Sequence, residues 1–93
     1  MRNLVKIFKA LSNEIRLKIV LYLLKNKEAT VTEISNKLKI NHFRASRNLK
    51  ILENAYLVKN HIAKNWVFYS INKSPKKFHS KILKILSNIN NKA

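Results

Sequence analysis

Ninety-three residues suit one domain, since domains commonly run ~100–150 residues. Twenty lysines and arginines against four glutamates and no aspartate give a net charge of +16, which favours a polyanionic partner. The absence of cysteine excludes disulfides and thiolate metal sites, and the absence of glycine excludes glycine-rich phosphate loops, yet 46% hydrophobic residues are too many for a disordered basic tail.

Apolar residues at Leu4, Ile7, Phe8 and Leu11 have the spacing of one helical face. Ser12-Asn13 supplies a cap for a second helix from Glu14 to Lys25, apolar nearly all round and expected to be the buried central one. Asn26 is expected to end it in the left-handed conformation that glycine would normally take. Thr30-Val-Thr-Glu33 reads as a capping box opening a short helix, with Val31, Ile34 and Leu38 on one face. After a break at 39–41, Asn41 can cap a helix from His42 to about Asn54, with Ala45, Leu49 and Leu52 inward. Two helices joined by so short a turn form a helix-turn-helix, in which Lys39 must adopt the backbone usually given to glycine.

The period then changes. Leu57–Ile62 and Trp66–Ile71 are rich in β-branched and aromatic residues, and Ala63-Lys64-Asn65 between them reads as a hairpin turn with Asn65 at positive φ. One face of the second strand, with Trp66 or Tyr69, is expected to be buried. Pro75 sits where a last helix begins, carrying a stripe of Phe78, Ile82, Ile85, Leu86 and Ile89. The fold class is mainly α with a β-hairpin wing: a winged helix-turn-helix in the order α-α-α-α-β-β-α.

The whole chain, 1–93, is expected to be one winged-helix DNA-binding domain, with the helix-turn-helix over 30–54 and the wing over 57–71. Helices over 1–11 and 75–90 are expected to build a homodimer. The longest apolar run, Ile19 to Leu24, is far below the ~20 residues of a membrane span, and the lysine-rich start lacks a signal-peptide apolar stretch. A soluble cytoplasmic protein is expected.

Three stretches, Ala10–Ile19, Thr30–Ser35 and Ser46–Ala55, together with Leu57-Val58 and Trp66–Tyr69, resemble in order and spacing the ArsR/SmtB family of winged-helix repressors. The likeness spans roughly residues 4–71. It implies a homodimer built from the first and last helices, and the helix from His42 in the DNA major groove. The family's metal sensors hold cysteines where this chain has Thr30 and Thr32, and ligands where it has Lys73, Pro75, Leu86 and Ile89, none of which binds metal. The family's habitual glycines fall at Tyr56 and about Lys64.

Arg44 and Arg47 lie on the first turns of the recognition helix, where a guanidinium fork can read guanine O6 and N7. His42 and Ser46 stand beside them. Phe43 either touches a thymine methyl or packs on the preceding helix, and packing is expected. Lys50, Lys59, His61 and Lys64 are candidate phosphate anchors. Arg16, in an apolar helix, is expected to be a paired structural residue. Leu4, Ile7, Phe8, Leu11, Phe78, Ile82, Ile85, Leu86 and Ile89 are the candidate dimer surface. His42, His61 and His79 are scattered, so no metal and no cofactor is expected.

Without Asp or Cys, neither a nucleophilic triad nor a two-metal centre can be assembled, and no enzyme is expected. The reading is a sequence-specific double-stranded DNA-binding regulator of transcription, a repressor acting as a homodimer on a palindromic operator. The alternatives are a sequence-tolerant architectural nucleic-acid binder, a winged-helix protein–protein adaptor and a small nuclease.

Overall fold

The computed structural model describes residues 2–73 and 77–92. Five helices and three strands follow one another as α1 (Arg2–Leu11), α2 (Glu14–Lys25), β1 (Ala29–Thr30), α3 (Val31–Leu38), α4 (His42–Asn54), β2 (Val58–Ala63), β3 (Trp66–Ile71) and α5 (Lys77–Lys92). This is the winged helix-turn-helix arrangement, with one element more than the sequence predicts. The addition is β1, whose Ala29 and Thr30 pair antiparallel with Tyr69 and Phe68, so the sheet order is β1-β3-β2.

Local chemistry sets the helix starts. Asn13 Oδ1 accepts from the Arg16 N–H at 3.1 Å, and Asn41 Oδ1 accepts from the Arg44 N–H at 2.7 Å. The Thr30 hydroxyl accepts from the Glu33 N–H while Glu33 accepts from the Thr30 N–H, a complete capping box.

The turns depart from expectation at two places. Asn26 is extended (φ −113°), because its backbone N–H and its side-chain amide both donate to the Tyr22 carbonyl and satisfy the helix end without a left-handed residue. In the wing turn the positive φ falls on Lys64 (57°) and not on Asn65. A two-residue connection with positive φ at its first position only suits the twist of the paired strands. Lys39 takes φ 56° as required, and Ser35 holds that turn by accepting from the Ile40 N–H and donating its hydroxyl to the Ile40 carbonyl at 2.6 Å.

Ile19, Val20 and Leu23 of α2 form the centre of the core, joined by Ile34 of α3, Ala45, Leu49 and Leu52 of α4, and Leu57, Val58 and Tyr69 around the sheet. The terminal helices contribute residues the sequence pattern assigns elsewhere. Ile7 is buried within its own chain and is thereby removed from the expected dimer surface. On α5 the inward residues are His79 and Leu83, Ile82 and Leu86 are half-buried, and Ile85 and Ile89 face solvent. Pro75 and the Phe78 side chain lie outside the described residues. No described helix is long and apolar enough to cross a membrane.

Candidate nucleic-acid interface

Helix α4 buries Ala45, Asn48, Leu49 and Leu52 and leaves His42, Phe43, Arg44, Ser46, Arg47 and Lys50 in solvent. Phe43, Arg47 and Lys50 follow at i, i+4 and i+7, one ridge along the outer face. The first turn contains no acid, so the two guanidiniums stand without a local counter-charge. Phe43 is 74% exposed, which overturns its expected packing on the preceding helix.

Two polar clusters fix this helix. Arg16 donates from Nε to the Ala10 carbonyl at 2.7 Å, from Nη2 to the Lys9 carbonyl at 3.3 Å and from Nη1 to Asn48 Oδ1 at 3.0 Å. Asn48 Nδ2 donates back to the Arg44 carbonyl at 2.9 Å. The expected structural role of Arg16 is thus met by the carbonyl end of α1 and an inward amide of α4, the kind of charge-assisted contact that orients one helix on another. At the other end Glu53 accepts from Asn60 Nδ2 of β2 and lies 3.7 Å from Lys50 Nζ, tying the wing to α4. Behind it Tyr69 is buried, and that burial, followed by the Glu53 carboxylate, raises its hydroxyl above the ordinary tyrosine value.

On α5 the buried His79 sets Nε2 3.0 Å from the Ala55 carbonyl at the end of α4. A carbonyl only accepts, so Nε2 carries the proton. Nδ1 is buried with no hydrogen-bond partner among the described residues.

Side chains directly opposite in an antiparallel pair point the same way. Val58/Ile71, Asn60/Tyr69 and Ile62/Val67 therefore share one face of the wing, and Lys59/Ser70, His61/Phe68 and Ala63/Trp66 the other. Tyr69 is the buried aromatic of β3, whereas Trp66, nearer the turn, is 57% exposed. His61 stacks on Phe68 with ring centres 5.5 Å apart and sets Nε2 3.3 Å from Glu28 Oε2. A carboxylate thus faces one of the expected phosphate anchors. Lys59 lies exposed at the wing's base, about 13 Å of strand from the turn. Lys64 stands at the turn itself.

Asn48, Glu53 and His79 are the residues that sequence reasoning missed. An amide between Ala45 and Leu49 on an apolar face was a signal for the first. The pairing of Glu53 and the burial of His79 depend on tertiary contacts. Among the described residues no group of three or more His, Cys, Asp or Glu comes together to hold a metal.

A family model described as bacterial regulatory protein, arsR family, matches residues 13–60. No curated protein sequence matches the chain significantly. Among solved structures, HlyU from Vibrio cholerae shares 28% identity over 95% of this chain and 91% of its own, with a TM-score of 0.80. The transcriptional repressor PagR of Bacillus anthracis shares 28% identity over 91% of this chain and 93% of its own, with a TM-score of 0.76. Mb0332 from Mycobacterium bovis, a homodimeric winged helix-turn-helix DNA-binding domain, is 24% identical over 98% of this chain and 81% of its own, with a TM-score of 0.77, a likeness of fold.

Proposed function

Since this chain belongs to the arsR family of bacterial regulatory proteins, DNA-binding regulators of transcription, we propose that it acts as a homodimeric repressor on a palindromic operator. The observation that carries the reading is the outer face of α4, which presents Phe43, Arg44 and Arg47 beside His42 and Ser46 and has no acid in its first turn.

In the major groove Arg44 or Arg47 would read guanine by a bidentate pair, and the exposed Phe43 ring would lie against a thymine methyl. Lys50 and Lys64 would hold phosphates on either side and set the register without reading sequence. Arg16–Asn48 and Glu53–Asn60 support this by fixing α4 against α1 and the wing. The dimer reading is supported by apolar side chains left outside the core on both terminal helices: Phe8 on α1, and Ile85 and Ile89 on α5, flanked by the half-buried Leu4, Leu11, Ile82 and Leu86. A soluble monomer rarely leaves such a patch in water. The two-fold axis then calls for half-sites ~10–10.5 base pairs apart. Repression is supported by the likeness to PagR, a transcriptional repressor.

Selection from a random duplex library tests the reading. It should return a palindrome with that spacing. On it, Arg44→Ala or Arg47→Ala should cost about 1–3 kcal/mol and less on random DNA, while Lys64→Ala weakens both alike. Equal losses on both DNAs for all three variants would favour an architectural binder, the function that a charge of +16 serves equally well.

A further inference from the structure

Between the end of α2, the base of the wing and α5 runs a groove made of two adjoining hollows of about 500 and 480 Å³, which share Leu24, Ile71 and Lys73. Each lies within the ~300–1,000 Å³ usual for small-molecule sites. Its floor is apolar: Leu23 and Leu83 are buried, and Leu24 and Ile71 are half-buried. Its rim is basic, with Lys27 from the end of α2, Lys59 from β2, Lys73 after β3 and Lys84 from α5, all exposed.

Among the described residues none of these four lysines pairs with an acid. The one carboxylate among the residues lining the groove, Glu28, lies 3.3 Å from His61 Nε2 of β2. Four ammoniums around a concavity repel one another, and each can lay its methylene stem on the floor with its charge at the rim. The arrangement is complementary to a molecule with one anionic end and an apolar body. Duplex DNA has no apolar body to offer such a floor, and Lys59 lies far from the wing turn.

We propose that this groove binds a small amphipathic anion, a carboxylate on an apolar chain or ring, with the carboxylate among the four lysines and the body on the leucine and isoleucine floor. Because the groove joins the wing to α5, occupancy is linked to DNA binding. Whatever factor the ligand takes from operator affinity, the operator takes from ligand affinity. That coupling rests on the function proposed above; the binding itself does not.

The experiment is calorimetric titration of the full chain, without DNA, with decanoate, decanol and inorganic phosphate at ~0.15 M salt. Two charge-matched double variants accompany it: Lys27→Gln/Lys84→Gln in the groove, and Lys18→Gln/Lys37→Gln on exposed positions outside it. Decanoate should saturate one site per chain and bind about tenfold or more tighter than decanol or phosphate, with the groove variant about tenfold weaker and the control within about twofold. Equal weakening in both variants would make net charge the cause and overturn the proposal. So would decanol or phosphate binding as tightly as decanoate, or no saturable heat at all. Decanoate should also lower operator affinity in the wild type but not in the groove variant, and an unchanged operator affinity would overturn the coupling. Should the protein show no operator preference while decanoate binding keeps this variant pattern, the groove stands and the DNA reading falls.

Discussion

Lys39, Tyr56 and Lys64 hold φ of 56°, 61° and 57° in a chain with no glycine. A side chain with a Cβ in this region costs roughly 1–2 kcal/mol, against which glycine would bring greater freedom to the unfolded chain. Lys39 is exposed and lies in the turn between α3 and α4, so nothing in the core resists its replacement. Lys39→Gly should therefore stabilise by about 0.5 kcal/mol, raising the melting temperature by roughly 2–4 °C. Lys37→Gly, within α3, should destabilise by about 1 kcal/mol. A lower melting temperature for Lys39→Gly would contradict the strain reading. Lys39 was legible from the short turn of the helix-turn-helix, whereas Tyr56 and Lys64 were marked only as positions where the resembling family carries glycine. Asn65 misled because its tolerance of positive φ is a local property, whereas the turn geometry is set by the pairing of Ala63 with Trp66.

The elements were legible where a side chain both starts a helix and advertises it. Asn13, Thr30 with Glu33, and Asn41 each cap the helix that the sequence predicts from them. Strand β1 was not legible, because two residues show no period and their pairing partner lies some forty positions away. The phase of α5 was also hidden. Its stripe of large apolar residues reads as dimer surface and gives no sign of the side that faces the core, which takes His79 and Leu83, the histidine being admitted by its bond to the Ala55 carbonyl. Phe43 misled for the opposite reason: an aromatic residue reads as core, and here it stands on the outer ridge.

The burial of Tyr69 has a consequence in alkali. Burial first, and Glu53 second, hold the Tyr69 hydroxyl above its usual value. As pH rises past ~10 the unfolded tyrosine releases its proton while the folded one keeps it. The unfolded state then binds fewer protons, so the stability due to this group, fully present below pH ~10, is lost as pH climbs through the raised value. Denaturant titrations between pH 9 and 12 should show Tyr69→Phe losing stability less steeply than the wild type. Parallel slopes would show that Tyr69 ionises as readily folded as unfolded.

For the molecule as a whole, +16 and the uncovered apolar faces of α1 and α5 pull in opposite directions. Two such chains repel, but the repulsion is screened over ~10 Å at 0.1 M salt, whereas apolar burial gains about 25 cal/mol per Å² whatever the salt. Association should therefore strengthen with salt as DNA binding weakens. Ile85→Asp with Ile89→Asp should keep the fold, since both positions are exposed at 61% and 51%, and should sediment as monomers where the wild type sediments as dimers. A wild type that is monomeric at tens of micromolar in 0.3 M salt would remove the dimer. The Arg16–Asn48 and Glu53–Asn60 links would then hold a recognition helix with no partner one duplex turn away.

The charge alone would carry the chain to any duplex; the side chains on the outer face of α4 are what a sequence-specific regulator adds. The most direct measurement is the ratio of affinities for the selected palindrome and for a scrambled duplex of equal length and composition, at ~0.15 M salt. The arrangement of Phe43, Arg44 and Arg47 predicts a ratio of roughly 10³ or more. A ratio near one would contradict it and leave a protein that holds DNA by its phosphates alone.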